Sequence, residues 1–301
     1  MRLLVCVVLA ATTCLLVQPA VATDVDGPND CVHQLHDFGD APEFVPAYPA
    51  VPGRFPTCIA PGPVGTQTFV CPPISTPPGP TGYVHHIQFG MPSNYWLGCY
   101  FNAIGPYGID NEIDGKTNTP AVGISACGGI PTDCIEAAFG MTFDQDECFG
   151  DGSDAGVRRP TLIACRPSAV TMDVFNCGQP RQVFLNICLD LNRDGDWNDN
   201  VACPGACAYE WAVVNAPFTL PAAGCLTLTS PLFLVGPQAG PSWMRVSISD
   251  DPMPVDYPWN GTVSLPGSAT HGGETEDYPV FIDEHIGTAP STWGNIKTLY
   301  R

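Results

Sequence analysis

The second half of the chain alternates short apolar stretches with turn residues, a pattern typical of β-strands. Residues 170–174 alternate with period two, and Gly178-Gln179-Pro180 then marks a turn. Five further stretches have the length and apolar content of strands: 182–191, 209–214, 225–235, 243–249 and 278–282. No stretch has a sustained helical period. The pattern predicts an all-β fold, an antiparallel β-sandwich of Ig-like or jelly-roll-like type.

Four parts of the chain differ in composition. Residues 1–22 have the order of a secretory signal peptide, with a basic start, an apolar stretch and an Ala-x-Ala cleavage signal ending at Ala22. Residues 23–160 are rich in Pro, Gly, Cys and Asp, so we expect a loop-rich and disulfide-rich N-terminal region. Residues 161–285 contain the predicted sandwich. Residues 286–301 form a tail that includes one short helical turn.

Composition and charge narrow the class of protein. The chain has 31 Gly and 33 Pro among 301 residues, which is too many for a helical bundle, while 45% hydrophobic residues suffice for a core. The 11 basic and 30 acidic residues give a net charge of −19. Nucleic acid and anionic lipid repel such a polyanion, so we expect no nucleic-acid partner. No segment after the signal peptide is apolar over the length of a bilayer, so we expect no transmembrane segment.

Cysteine usage agrees with export. The sequence has 15 cysteines, of which Cys6 and Cys14 lie in the signal segment. The others are spread along the chain instead of forming the two CxxC pairs of a zinc ribbon, so we expect most to be disulfide-bonded. Their odd number leaves at least one free or bonded to another molecule. Short spacings favour three local pairs: Cys58–Cys71, Cys127–Cys134 and Cys203–Cys207.

One acidic stretch has the spacing of a calcium-binding loop. Asp190, Asn192 and Asp194 place oxygen ligands at every second position, and Gly195 follows with the freedom for a tight bend. This arrangement matches the first half of an EF-hand loop. The second half does not match, because the twelfth position is Val201 and the preceding residues form a predicted strand instead of a helix. The pattern favours a calcium loop flanked by strands.

We expect this loop to bind one structural Ca²⁺. The predicted ligands are the side chains of Asp190, Asn192, Asp194 and Asp199, together with the backbone carbonyl of Asp196. The alternative is a solvated Asp/Asn/Gly turn that joins two strands.

Two other acidic stretches lie in the first half of the chain, at residues 110–115 and 144–154. Either stretch could bind an ion or complete the site at Asp190. Because their spacing is looser, the favoured interpretation is that both are solvated loops.

A fourth acidic stretch, Glu274 to Asp277, precedes the last predicted strand. Carboxylates this dense repel one another unless a cation is near. We expect a buried ion pair with Arg245, in preference to a ligand role for Glu276.

Several of these motifs, in their order along the chain, resemble the GEVED domain of bacterial proteins. Residues 37–42 resemble its DFGDAP opening, and the 190–199 loop, the Arg245-Val246-Ser247 run and the Gly-Glu-Thr-Glu-Asp of residues 273–277 follow in the family's order. The stretches at 110–115 and 144–154 also resemble acidic segments that lie between these motifs. The resemblance implies a β-sandwich in a secreted or surface-attached bacterial protein, with no established catalytic role.

No motif of a hydrolase or nucleotide-binding enzyme is present, so we expect a secreted or cell-surface calcium-binding interaction module that is not an enzyme. Its partner would be an unknown extracellular protein or polysaccharide. One alternative is a carbohydrate-binding module that stacks sugars on exposed tryptophans. The candidates are Trp96, Trp197, Trp211, Trp243 and Trp259. The other interpretation of these tryptophans is that most of them belong to the core. A second alternative, a secreted metal-dependent hydrolase, lacks an identifiable general base.

Overall fold

The computed structural model describes residues 34–37, 39, 41–57, 65, 67–73, 82–89, 95–98, 101–102, 105–106, 156–176, 178–261 and 272–284. Within these ranges the regular structure is nearly all β-strand. The signal segment, the acidic stretches at 110–115 and 144–154, and the C-terminal tail lie outside the described residues. None of the helices in the described ranges has the length and apolar character needed to cross a membrane.

The strands before residue 160 are short. They are β1 (Gln34–Asp37), β2 (Glu43–Tyr48), β3 (Val51–Arg54), β4 (His86–Phe89), β5 (Tyr95–Leu97), β6 (Phe101–Asn102), β7 (Gly105–Pro106) and β8 (Val157–Arg158).

The strands after residue 160 are β9 (Leu162–Ile163), β10 (Pro167–Ser168), β11 (Thr171–Asn176), β12 (Arg181–Leu189), β13 (Asn200–Cys203), β14 (Ala206–Tyr209), β15 (Trp211–Leu220), β16 (Gly224–Thr229), β17 (Phe233–Leu234), β18 (Gly240–Ser249) and β19 (Gly273–Asp283), with helix α1 (Tyr257–Asn260) before β19. They include the longest strands of the described residues, β12, β15, β18 and β19, of nine to eleven residues.

Two principal sheets share one hydrophobic core. The larger has the order β15-β12-β18-β19-β9, antiparallel except for the parallel pair β19–β9, and the smaller has the order β16-β11-β5, with β8 also paired to β11. Met172 and Val174 of β11 pack into the same buried cluster as Leu185 and Ile187 of β12 and Val246 of β18. This arrangement is an antiparallel β-sandwich, and the predicted all-β fold is confirmed.

The five-stranded sheet is buried on both faces. Alternate residues of β11 are buried, as expected for a strand with one covered face, but the last eight residues of β18 are all buried. Cys188 and Trp243 point away from the main core into a second cluster with Phe55, Trp197 and other residues. The loop after β12 therefore contributes Trp197 to a layer that covers the outer face of this sheet.

The strands predicted in the second half are confirmed, except that 225–235 divides into β16 and β17 and 209–214 spans the end of β14 and the start of β15. The first half contains more strand than its composition predicts. β5 pairs with β11, and Tyr95 and Leu97 are completely buried in the main core. Strands of two to six residues beside Pro and Gly are too short for their periodicity to stand out. Of the strands before residue 107, β5 therefore joins the smaller principal sheet, whereas the pairs β1–β4, β2–β3 and β6–β7 form separate two-stranded sheets.

Two predicted cysteine pairs are wrong. The observed disulfides join Cys71 to Cys207 and Cys165 to Cys203, which excludes Cys58–Cys71 and Cys203–Cys207. Spacing favoured short loops, but the sheet brings distant segments side by side, and the observed bonds span 136 and 38 residues. Cys127 and Cys134 lie outside the described residues. Among the described cysteines, Cys188 is free, as the odd count requires.

Candidate calcium site

The acidic loop joins two strands, as predicted. It begins where β12 ends at Leu189 and finishes where β13 begins at Asn200. Gly195 has a φ of 92°, the left-handed bend that its place in the motif requires, and its carbonyl accepts a 2.7 Å hydrogen bond from the Arg54 amide of β3. The β2–β3 hairpin therefore lies directly against the bend of the loop.

Asp190 organises the start of the loop. Its Oδ1 accepts a hydrogen bond of 2.6 Å from the Arg193 amide, and its Oδ2 accepts bonds of 2.9 Å from the Gly195 amide and the Tyr48 hydroxyl. The Asp190 side chain is completely buried. These bonds curl the loop around the Asp190 carboxylate, which is the role of the first position in an EF-hand loop.

Asn192 lies between two carboxylates. Its Nδ2 donates hydrogen bonds to Asp194 Oδ2 at 3.2 Å and to Asp199 Oδ2, while its Oδ1 accepts a 3.0 Å bond from the Asp194 amide. The amide group therefore holds Asp194 and Asp199 on one side of the loop. The sequence predicts that Asn192 binds Ca²⁺ through its side-chain oxygen. That ligation would require the side-chain amide to rotate so that Oδ1 and Nδ2 exchange places.

Glu210 is a site residue that sequence reasoning missed. It lies between β14 and β15, is completely buried, and accepts hydrogen bonds of 2.8 Å from the Leu191 amide at Oε1 and 2.9 Å from the Asp199 amide at Oε2. A signal was present in the sequence, because Glu210 interrupts the apolar stretch at 209–214. Its place beside the loop follows from strand pairing, which spacing along the chain does not reveal.

Five carboxylates form two overlapping groups. Side-chain oxygens of Asp190, Asp194 and Glu210 lie within 4.8 Å of one another, and so do those of Asp194, Asp196 and Asp199. Oxygens at such separations can bind one hard divalent cation, because Ca²⁺ takes oxygen ligands at about 2.3–2.6 Å. The structure thus brings together the carboxylates of Asp190, Asp194 and Asp199 as predicted. It adds Glu210 and the carboxylate of Asp196, for which the sequence predicted the backbone carbonyl.

Three oxygens in the loop have no hydrogen-bond donor. They are Asp194 Oδ1, Asp196 Oδ2 and Asn198 Oδ1, and both Asp196 and Asn198 are buried, with exposures of 1% and 3%. A buried acceptor without a partner costs about 1–3 kcal/mol, and more when it is charged. A bound cation would satisfy these oxygens, so the residues fit a metal ion.

Burial raises the pKa of the carboxyl groups in the cluster. Loss of solvent is the largest cause at Asp190, where the charge of Asp194 adds to it and raises the pKa to about 7. Burial also raises the pKa of Asp199 to about 7 and raises the pKa values of Asp196 and Glu210 well above their ordinary range. Ionising these groups together is therefore unfavourable unless a cation compensates their charge.

A covering segment, residues 67–73, lies across the end of the loop. The Thr68 amide donates to Asp199 Oδ1, and the Thr68 carbonyl accepts a 3.2 Å hydrogen bond from the Asn200 amide. Asn200 Oδ1 in turn accepts bonds of 2.9 and 2.6 Å from the amides of Val70 and Cys71. The disulfide to Cys207 of β14 fixes this segment in place.

The predicted pairing of Arg245 is confirmed, with Asp277 as its partner. Nε and Nη2 of Arg245 donate bonds of 2.7 and 2.6 Å to the two oxygens of Asp277, and both side chains are buried. The guanidinium also donates to the Pro56 carbonyl and lies 4.4 Å over the Trp197 ring. Burial opposes the charge of Arg245, but the Asp277 carboxylate outweighs it and raises the arginine's pKa.

The tryptophans proposed for sugar stacking do not form an exposed face. Trp96, Trp197, Trp211, Trp243 and Trp259 are all buried, with exposures of 4% or less. Trp197 packs on Phe55 with ring centroids 4.3 Å apart, and Trp211 packs on Tyr257 at 5.6 Å. These side chains stabilise the core, as the alternative interpretation of the sequence held.

Comparisons with known proteins show no relationship. No family model matches the chain, and no curated protein matches it. One solved structure that matches is native alpha-2-macroglobulin from Escherichia coli, spanning domain MG7 to the C-terminus. It is 16% identical to this chain, with a TM-score of 0.23, and the match covers 42% of this chain and 16% of that chain. The trypsin-activated form has the same identity and TM-score, over 42% of this chain and 7% of that chain. This chain therefore spans less than a fifth of either structure's length, and a likeness this weak indicates neither relationship nor function.

Proposed function

We propose that this protein is a secreted, disulfide-stabilised β-sandwich that binds calcium structurally and acts as an extracellular interaction module. The observation behind the calcium site is the set of buried carboxylates around a loop with EF-hand spacing. Asp190 and Asp194 occupy the first and fifth positions of such a loop, and Glu210 approaches them from the β14–β15 junction. Glu210 would supply the acidic ligand that the twelfth position, Val201, lacks.

Calcium suits this set better than other common cations. The donors are all oxygens, which excludes the softer metals that prefer sulfur and nitrogen. They come from a loop and a separate strand junction, and Ca²⁺ accepts irregular arrangements of six to eight oxygens that Mg²⁺ does not. The cation would hold the β12–β13 connection against β14 and β15. It has no catalytic role in this proposal.

The disulfides support an extracellular location. Disulfides such as Cys71–Cys207 and Cys165–Cys203 form and persist mainly in oxidising compartments, and the segment before Thr23 has the order of a secretory signal. Mass spectrometry of secreted material should find the mature N-terminus near Thr23. Retention of the first 22 residues in the exported protein would contradict the signal assignment.

We also propose membership of the GEVED family, because the motifs that resemble it meet in space. Asp37 Oδ2 accepts a 2.7 Å hydrogen bond from the Thr275 amide, and the Ala41 amide donates at 2.7 Å to Asp277 Oδ2. Arg245 binds the same Asp277 carboxylate. The DFGDAP-like opening, the Arg245 run and the Gly-Glu-Thr-Glu-Asp motif would then be conserved in the family for packing reasons. An alignment of homologues in which these three motifs vary independently would contradict this.

Calcium titration calorimetry tests the site. Wild type should bind Ca²⁺ with a Kd on the order of 10⁻⁴ to 10⁻³ M, the range of extracellular modules. Asp190→Asn keeps the shape of the side chain but removes a ligand charge, so it should weaken binding by at least about tenfold. Asp173→Asn, which changes a carboxylate of β11 paired with Arg158, is the matched control and should bind like wild type. Absence of binding in wild type would refute the calcium function.

A further inference from the structure

We infer that the loop binds two calcium ions, bridged by Asp194, with the second ion between Asp194, Asp196 and Asp199. This inference rests on the proposed calcium function. The first ion is the one assigned above to Asp190, Asp194 and Glu210. Besides the shared Asp194, the second site uses the carboxylates of Asp196 and Asp199, which do not bind the first ion.

The geometry separates two cation positions. Oxygens that bind one Ca²⁺ at about 2.3–2.6 Å lie within about 5 Å of one another. The five carboxylates do not meet this condition as one set, and instead form two groups of three that share Asp194. Asp194 has two oxygens, so one residue can serve both ions.

Unpartnered oxygens point to the second group. Asp196 is 1% exposed, and its Oδ2 has no hydrogen-bond donor, whereas its Oδ1 accepts a 3.3 Å bond from the Asn198 amide. Both oxygens of Asp190 and both of Glu210 accept backbone hydrogen bonds, so the first group lacks such an atom except at Asp194. The group around Asp196 is thus the less satisfied of the two without a cation.

Charge balance favours the second ion as well. Five ionised carboxylates carry a charge of about −5, and one Ca²⁺ leaves about −3 in a buried site. A second Ca²⁺ reduces the remaining charge to about −1.

The second site lies beneath chain from the first half of the protein. A Cβ atom on Gly65 would collide with Asp196 Oδ2. The backbone at residue 65 therefore passes close to the Asp196 carboxylate, and only a glycine fits at this position. The Thr68 amide of the covering segment donates to Asp199. The second ion would therefore hold the carboxylates of the loop together beneath this part of the chain, whereas the first joins the loop to the junction of β14 and β15.

Calcium stoichiometry tests the inference. Each protein is dialysed against calcium at several times the expected Kd, and bound calcium is measured by elemental analysis. Wild type should retain two ions per chain, Asp196→Asn one, and the control Asp173→Asn two. One ion in wild type would overturn the two-ion inference and leave the proposed function standing, and no ion would refute both.

A second variant keeps the test decisive if Asp196→Asn fails to fold. Gly65→Ala fills the space in front of Asp196 Oδ2 without changing any carboxylate, so it should also retain one ion. Circular dichroism reports which variants are folded. A folded Asp196→Asn or Gly65→Ala protein that binds as many ions as wild type would overturn the inference, and so would a folded variant that loses all calcium.

Discussion

At the scale of single residues, stability depends on buried polar groups that have specific partners. Arg245 and Asp277 face each other across β18 and β19, and their paired hydrogen bonds satisfy two charges that water does not reach. The Thr57 hydroxyl and the Pro56 carbonyl accept further hydrogen bonds from the same guanidinium. An unpaired charge at this position would cost several kcal/mol, so the pair tolerates no loss of one partner.

Replacing Arg245 with Met should therefore destabilise the protein by about 3–5 kcal/mol, because Asp277 would remain buried without its cation. Urea denaturation gives the difference in the free energy of unfolding. The matched control is Arg158→Met, which breaks a pair whose arginine side chain is 60% exposed and should cost at most about 1 kcal/mol. Equal effects of the two substitutions would contradict the assigned role of Arg245.

The free thiol of Cys188 should be unreactive in the native protein. Burial raises its pKa well above the ordinary value, although the Arg245 charge partly opposes the shift, so the thiol stays protonated at pH 8. Ellman's reagent should detect no fast-reacting Cys188 in the folded protein and should detect it after denaturation without reductant. Rapid modification of Cys188 under native conditions would show that the second core cluster is open to solvent.

At the scale of elements, the calcium loop depends on its neighbours for its shape. The β2–β3 hairpin contacts it through Tyr48 and Arg54, and the covering segment contacts it through Thr68. The disulfide Cys71–Cys207 ties that segment to β14 across 136 residues. The loop therefore depends on segments far apart in the chain, and it should lose affinity for calcium when they are released.

Replacing Cys71 and Cys207 with Ser should lower stability by about 2–5 kcal/mol and also weaken calcium binding, because Asp199 loses a fixed partner. The control is the Cys165/Cys203→Ser pair, whose disulfide closes a shorter loop and joins β13 to residue 165 instead of to the covering segment. The control should lose stability but keep the calcium affinity of wild type, as measured by calorimetry. The element-scale account fails if both variants bind calcium like wild type.

Local sequence pattern predicted the elements well where a strand was long or a motif was contiguous. The strand before the loop and the bend at Gly195 follow from nearby residues, and the dense carboxylates of residues 274–277 identified the region that pairs with Arg245. Glu210 and the Cys71–Cys207 bond do not follow from nearby residues, because both depend on which strands lie side by side. The three-residue strand β5 also escaped prediction, since it takes its stability from pairing with β11.

At the scale of the whole molecule, the dominant feature is negative charge. The chain has a net charge of −19, and the calcium site concentrates five carboxylates, four of which are buried and one, Asp194, half-buried. Self-repulsion at neutral pH opposes the compact state, and divalent cations counteract it most strongly where the carboxylates converge. Calcium and protons should therefore compete for the same groups.

The calcium effect on stability should increase with pH. Asp190 and Asp199 have pKa values of about 7 in the folded protein, above their unfolded values near 4. The stability that protonation of these two groups contributes is therefore fully present below about pH 4 and is lost as pH rises through about 7. With chelator, stability should fall between pH 5 and pH 8. Calcium should raise the melting temperature more at pH 8 than at pH 5. A calcium effect that is the same at both pH values would contradict this linkage.

Thermal denaturation with calcium and with chelator, at neutral pH, tests the central claim most directly. At about 1 mM Ca²⁺, an ion bound with a Kd of 10⁻⁴ to 10⁻³ M should add about 0.4–1.4 kcal/mol to the free energy of unfolding. The melting temperature of wild type should therefore rise with calcium and fall with chelator, and Asp194→Ala should show no such response. If wild type melts identically in both conditions and elemental analysis finds no metal, the loop is an acidic turn and the calcium account is wrong.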